Sequence, residues 1–452
     1  MRNLKKYLFA PVDNSALIVF RMLFGFLITA EAWGAIITGW VRRVFVEPQF
    51  TFNFIGFDFL QTFPGPGAHM YAWFVIMGIF GVMVTVGYKY RTAMIGYAIM
   101  WSTVYFMQKS SYNNHYYLLM LLCWIFAFLP AHRAVSFDAR FRKRVGSTSM
   151  PRWVTVIIIA QLFIVYTYGS IAKIYPDWLD TTAPRLLMQG KKNFWLVGEV
   201  LQKEWTHKVL AYFGILFDGL IVPALLWKRT RKIALIASVF FHLFNSFVFQ
   251  VGIFPYMSLG FILFFYPPKT IHRIFLKKWK AFYNTDEETR PLKFVTKWSS
   301  LGIAVAAAYI IIQVLLPLRQ HVLQDNVLWT EEGHRLSWRM MLRSKQGTVS
   351  FSVVDKETNK RTFVKLKEYL SKKQRRNLST KPDFIWQFAQ RLKKEYAAKG
   401  QDISVFVSCQ VKVNGRKYKR LVDPKVDIAA VEWAFFKHAD WLLDSGGYLE
   451  KK

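Results

Sequence analysis

The chain has 452 residues, 53% of them hydrophobic and 17% aromatic, with 61 Lys and Arg against 28 Asp and Glu. So much Phe, Trp and Tyr, set in several uncharged runs long enough to cross a bilayer, excludes an ordinary soluble globular protein and reads as a polytopic α-helical membrane protein. A formal charge of +33 raises nucleic acid as a partner, but the positive-inside bias of membrane loops accounts for such a balance first, so the placement of the basic residues decides.

The basic N-terminus "MRNLKKYLFA" leads into an apolar run from about 16 to 40. That run is too long for a signal-peptide core and lacks a clear small-residue cleavage site, so it reads as a retained first membrane helix. Further runs follow at roughly 71 to 87, 92 to 108, 115 to 130, 153 to 173, 208 to 227, 232 to 250, 253 to 267 and 298 to 317. The expectation is about nine spans, several short enough to be tilted, broken or partly inserted. With a cytoplasmic N-terminus, the inside segments carry about 23 Lys and Arg against about seven in the outside loops. The N-terminus is then cytoplasmic and the C-terminal part extracytoplasmic. Because the charge is spread over short loops, no nucleic-acid partner is expected.

After Pro317 the composition becomes that of a soluble module, which divides the chain into a transmembrane helical domain, 1–317, expected to carry the chemistry, and an extracytoplasmic α+β domain, 318–452. "GTVSFSVVD" and "KRTFVKL" alternate like paired strands, "DFIWQFAQRLKKEY" has helical periodicity, and "SVFVSCQVKVNGRKYKRLVD" reads as a hairpin closed by Asn414 and Gly415. The two cysteines, Cys123 in an apolar run and Cys409 in the polar part, make no disulfide framework.

Ionisable groups inside the membrane are costly and mark functional sites by default. In "SSYNNHYYLLM", Asn113, Asn114 and His115 open the fourth run, either as a helix cap with an interfacial histidine or as a polar site. Lys173, at the outer end of the fifth run, is either a snorkelling anchor or a dehydrated base, and the small Gly169, Ser170 and Ala172 before it permit close helix approach. His242 and Asn245, spaced i and i+3, share a helix face, with His242 roughly 15 Å from the cytoplasmic "KRTRK" and so near the midplane. Asp218 is mid-membrane too, with no partner legible. Under the derived topology Asn114, His115 and Lys173 cluster at the outer face and His242 and Asn245 extend inward, which describes a pocket for an amphipathic ligand. There is no HExxH, CxxC pair, Walker loop or GxGxxG, and no carboxylate at metal-ligand spacing from His115 and His242, so no metal is expected and an organic cofactor or substrate is left to carry the chemistry.

At these residues the chain resembles the vitamin K-dependent gamma-glutamyl carboxylase family and its bacterial relatives with an HTTM-type membrane domain. The matching stretches are "FRMLFGFLI" at 20 to 28, "SSYNNHYYL" at 110 to 118, "QLFIVYTYGSIAKIYPDWLD" at 161 to 180, "FFHLFNSFVFQVGIFPYMSL" at 240 to 259, "LSWRMMLRSK" at 336 to 345 and "RLVDPKVDIAAVEW" at 420 to 433. The resemblance implies that Lys173 is the base that deprotonates vitamin K hydroquinone, the cosubstrate. O2 then adds, the resulting strong base removes a γ-proton from a glutamyl side chain of a peptide or protein partner, CO2 captures the carbanion, and vitamin K leaves as the 2,3-epoxide. It further implies that Asn114 and His115 orient and stabilise the oxyanionic intermediates, and that His242 stands at the quinone ring with Asn245 close by. Lysine serves as a base near neutral pH only where burial or neighbours lower its pKa, and a membrane pocket excludes the water that would quench such intermediates.

Trp338, Met340 and Met341 are expected against the quinone, and Arg343 with Arg416 or Arg420 as candidates for the substrate carboxylate, each arginine equally readable as solvated surface charge. The chain departs from the animal enzymes in two places. It ends soon after the "DPxVDI" segment, which favours a bacterial relative in the inner membrane. It also carries His334 and Arg343 where the animal pattern has Tyr and His, so glutamate recognition transfers less directly than quinone chemistry. The competing readings are a quinol epoxidase without peptide carboxylation, and a noncatalytic quinone or lipid binder or a transporter, which would tolerate Lys173→Ala.

Overall fold

Each of the nine apolar runs folds as a helix in the computed structural model, which describes residues 2–141, 147–279, 299–340 and 342–449. In chain order these are α1 (Ser15–Ile37), α2 (Met70–Val86), α3 (Tyr90–Met107), α4 (Asn114–Phe128), α5 (Trp153–Ile171), α6 (Glu204–Leu226), α7 (Arg231–Phe244), α8 (Phe254–Phe261) and α9 (Ser299–Leu318). Among the described residues five helices are long and apolar enough to cross a membrane: α1, α5, α6, α7 with its extension to Phe249, and α9 with its extension to His321. The expected count of nine spans is therefore not confirmed by length and composition. An apolar run dictates a helix but not a full crossing, and α2, with 17 residues, rises about 25 Å against a hydrocarbon core of about 30 Å.

Small residues set how closely the helices approach. Gly25 of α1 lies against Thr85 and Gly81 of α2 lies against Thr29, so closely that an added methyl would stand 2.5 Å and 2.4 Å from those residues. Inside the bundle Phe20, Phe24, Phe126 and Phe261 pack as a stacked cluster, the Phe20 and Phe261 rings 4.5 Å apart. The opposite faces are apolar and bare: Leu216 and Leu220 on α6, Ile233 and Ile236 on α7, Leu301 and Val305 on α9 are all exposed, the surface a bilayer would cover.

The C-terminal region is built on a four-stranded antiparallel sheet of β1 (Lys345–Asp355), β2 (Arg361–Phe363), β3 (Ile403–Val413) and β4 (Lys419–Arg420), in the order β2-β1-β3-β4. β1 and β3 pair over their full length, from Lys345 opposite Val413 to Asp355 opposite Ile403. Alternate residues of β3, from Ile403 to Val413, are buried, and the sheet packs with Phe384, Ile385, Phe388 and Leu392 of helix α10 (Pro382–Ala397) in one core. Asn414 and Gly415 turn the hairpin in left-handed backbone, φ 49° and 78°. The membrane part contributes to this core, because Phe50 and Phe52, in the connection between α1 and α2, pack on Phe388 and Phe384. Cys123 and Cys409 are both buried and unpaired with each other.

Candidate active site

Lys173 follows α5 by two residues, and its ammonium turns back into the bundle. Nζ donates to the Gly169 carbonyl at 3.0 Å and forms an ion pair with Asp218 of α6. Lys173 and Asp218 are 9% and 6% exposed. The pair exists because α5 and α6 are close there: a methyl on Gly169 would stand 3.2 Å from Asp218 Oδ2, and Ser170 Oγ donates to the Ile215 carbonyl at 2.9 Å. Asp218, without a legible partner in sequence, is the counter-ion of Lys173.

One step inward, Tyr166 Oη and His242 Nε2 are hydrogen-bonded at 3.0 Å. Phe217, beside Asp218 in the chain, stands edge-on to both rings, 5.8 Å from His242 and 6.1 Å from Tyr166. His115 and His242 meet the same aromatic ring: His115 stacks on Phe254 at 4.1 Å and His242 stands edge-on to it at 6.1 Å. His242 Nδ1 is enclosed with no hydrogen-bond partner. A continuous set thus runs from Lys173 through Asp218, Phe217, Tyr166, His242 and Phe254 to His115.

The two neighbouring asparagines divide their work. Asn113 caps α4, its side chain accepting from Tyr116 N at 2.7 Å. Asn114 is left free of capping: its Nδ2 donates to the Arg339 carbonyl and its Oδ1 accepts from Tyr112 Oη, both at 2.8 Å. Asn245 keeps helical backbone, φ −63° and ψ −38°, its N–H bonded to the Phe241 and His242 carbonyls, so it stays on the His242 face. The α-helix ends at Phe244, and Asn245–Phe249 form a π-helical turn that closes at Gln250 in left-handed backbone, φ 54°. Asn245 is half-buried on that turn.

A loop of the C-terminal region reaches into the helices over this set. Trp338 is completely buried in the membrane-side core, stacked on Tyr117 at 4.8 Å, and its Nε1 is enclosed without a partner. Met340 Cε lies 3.7 Å from where a methyl on Gly169 would be. Met341 lies outside the described residues.

The three arginines expected at the substrate carboxylate are placed differently from one another. Arg343 is ion-paired with Glu331 and lies 3.3 Å from His334 Nε2. Arg416 is bidentate to Asp177, at 2.5 Å and 2.8 Å, and with Asn414 on the same carboxylate it clamps the hairpin to the chain just after Lys173. Arg420 is exposed on β4, opposite Gln410. Burial alone would raise the Glu331 carboxyl, but Arg343, Lys345 and His334 override it and hold it well below the carboxylate range.

Next to this loop a cavity of about 240 Å³ is lined by Lys109, Glu331, Arg335, Leu336, Asp383 and Trp433 among others. Its wall residue Leu336 is tied to Asn114 by Tyr112, whose oxygen accepts from Leu336 N at 2.7 Å while donating to Asn114. Among the described residues no group of three or more His, Cys, Asp or Glu stands where a metal ion would be held. The spacing of Tyr166 from Gly169 and Lys173, i, i+3 and i+7, is the sequence signal that puts all three on one helix face. Nothing in the sequence pairs Asp218 with Lys173.

An apolar helical bundle with buried ionisable groups, roofed by a sheet-containing region, defines an integral membrane protein with an internal polar site. Residues 9–269 match the HTTM domain, and residues 298–447 match the Vitamin K-dependent gamma-carboxylase, lumenal domain. The chain belongs to the vitamin K-dependent gamma-carboxylase family. No solved structure matches it.

Proposed function

We propose that this chain is a vitamin K-dependent gamma-glutamyl carboxylase, coupling conversion of vitamin K hydroquinone to the 2,3-epoxide with carboxylation of glutamyl residues in a peptide or protein. The observation that carries the reading is the buried Lys173–Asp218 pair beside an aromatic cradle in which His242 Nδ1 and Trp338 Nε1 are enclosed and unpartnered. Flat apolar walls with polar atoms at the edge suit a naphthoquinol ring. Once bound, the hydroquinone supplies, together with O2 and CO2, the basicity and the carbon for γ-carboxylation.

The chain's own residues hold and move protons around it. Desolvation penalises both charges of a buried ion pair, which brings the amine–carboxylic acid form closer in energy. With the proton on Asp218, Lys173 is a free amine, able to accept a proton from a ligand hydroxyl. Tyr166 fixes the His242 ring through Nε2, leaving Nδ1 for the ligand. Asn114, anchored to the Arg339 carbonyl, and His115, flat against Phe254, set the opposite wall. Phe217, Phe254, Trp338 and Met340 keep water out. Asn245 on its π-turn and Met341 complete the proposed ring-binding residues. Of the three arginine candidates on the substrate side, Arg343 and Arg416 are already paired with Glu331 and Asp177, and only Arg420 is exposed.

The reading places the N-terminus in the cytoplasm, the C-terminal region outside a bacterial inner membrane, and the functional division at 317/318. The test is to supply detergent-purified protein with reduced vitamin K, O2, labelled bicarbonate and a Glu-containing peptide, and to measure epoxide and fixed carbon. Both products are expected, and both should fall by at least 100-fold in Lys173→Ala. Epoxide without fixed carbon supports an epoxidase instead; neither product from folded, quinol-binding protein refutes both.

A further inference from the structure

Around the site the basic side chains are held by carboxylates or other protein oxygens, with one exception among the described residues. Lys381 Nζ donates to Asn377 Oδ1 at 3.0 Å, Arg319 donates to the Arg335 carbonyl, and the other held ones have carboxylates. Arg343 and Lys345 share Glu331. Arg335 is bidentate to Asp383, at 2.7 Å and 3.1 Å, and Lys109 meets the same carboxylate at 2.6 Å. Arg416 holds Asp177. Arg339 is 9% exposed, its Nε is enclosed without a hydrogen-bond partner, and no carboxylate, carbonyl or hydroxyl bonds its guanidinium among the described residues.

Its position is as informative as its isolation. The Arg339 carbonyl is held by Asn114, and the next residue, Met340, reaches the Gly169 turn where Asp218 receives Lys173. Its nearest electrostatic neighbours are Arg343, Tyr175 and Glu331, and burial together with Arg343 pushes the guanidinium down to about 10. The surroundings therefore oppose its charge, yet a guanidinium keeps its proton at physiological pH. Nor is it alone: His334 Nδ1, Arg335 Nε, Trp338 Nε1 and Arg339 Nε, four enclosed nitrogens without partners, fall within residues 334–339. A buried cation with no counter-ion is costly, and a protein retains one where a ligand brings the anion.

We propose that Arg339 is the substrate-binding residue that receives the side-chain carboxylate of the glutamyl substrate, supplying the counter-charge that Arg343 and Arg416, committed to their own carboxylates, do not. The assignment rests on the carboxylase reading above. A planar fork suits a carboxylate bidentately, and it orients the carboxylate whose adjacent γ-carbon must face the reacting centre.

The experiment compares binding of a synthetic Glu peptide and its Gln isostere to full-length protein in detergent, alongside thermal melts, for wild type, Arg339→Gln and Arg339→Lys. Wild type should bind the Glu peptide at least tenfold more tightly than the Gln peptide. Arg339→Gln should abolish that preference, Arg339→Lys should keep part of it, and Arg339→Gln should melt higher without peptide, because an unpaired buried charge has gone. A structural arginine would instead lower the melting temperature and leave the preference intact, overturning the proposal. So would a wild type with no preference. Carbon fixation, measured separately, distinguishes the two ideas. Fixation with an unaltered preference in Arg339→Gln sinks the arginine and spares the carboxylase. A lost preference in a protein that fixes no carbon does the reverse.

Discussion

Lys173 and Asp218 stand 45 residues apart in sequence and on different helices, so their meeting is purely tertiary. Removing one partner leaves the other buried and unpaired, which costs about 3–5 kcal/mol. Lys173→Met and Asp218→Leu should therefore each lower unfolding stability by that order, while the double variant recovers most of it; all three should lack epoxidation. Chemical unfolding alongside the epoxide assay checks this, and a double variant as unstable as either single one would show that the pair is not coupled. Tyr166→Phe removes one hydrogen bond, worth about 1 kcal/mol of stability. If Tyr166 orients His242, turnover should fall much more than that stability change suggests, with the KM for quinol raised more than the KM for peptide.

At the scale of elements, the segment 333–340 joins the two regions. It turns through left-handed backbone at Gly333, Leu336 and Trp338, φ 72°, 60° and 56°. Non-glycine residues at such angles persist only where surrounding contacts hold them. Here Trp338 against Tyr117, Leu336 N on Tyr112 and Ser337 Oγ on the Gly333 carbonyl do so. Trp338→Ala should cost about 3–5 kcal/mol by cavity formation and raise the KM for quinol, whereas Trp338→Phe should retain most of both. Binding measured by fluorescence quenching separates the two effects. The elements themselves were legible. Apolar periodicity located every helix of the bundle, and alternation located β1 and β3. The π-helical turn after Phe244 was not, because nothing in "FNSFVFQ" distinguishes a helix that widens by one residue from one that continues.

The molecule as a whole is stitched together at the junction of its two regions by Lys109, Arg335 and Asp383. Burial raises the Asp383 carboxyl, but Arg335 and Lys109 override it and hold it far below the carboxylate range. A depressed carboxyl contributes stability that is present above its ordinary pKa and lost as pH falls through the folded value. Nearby Lys381 is pushed down to about 7 by burial, with Arg335 adding to the effect. Between about pH 7 and its ordinary value near 10.4 the unfolded chain binds more protons at this lysine, so stability climbs with pH over that window, and the penalty is complete below it. The melting temperature of purified protein should thus fall in acid and rise on the alkaline side. Lys381→Met should flatten the alkaline rise and melt higher at pH 7; an unchanged slope would exclude Lys381 as its source.

By itself the sequence determined the membrane character, the helical and sheet regions, and the family, and singled out Asn114, His115, Lys173 and His242 as candidates, because hydropathy, periodicity and motifs are local properties of the chain. Tertiary structure decided which charges are neutralised. Arg343 and Arg416, indistinguishable in sequence from substrate-binding arginines, carry Glu331 and Asp177, while Arg339, an unremarked letter inside "SWRMM", is buried without a partner. Ion pairing depends on which side chains are brought within a few ångströms in a low dielectric, and chain order does not encode that separation.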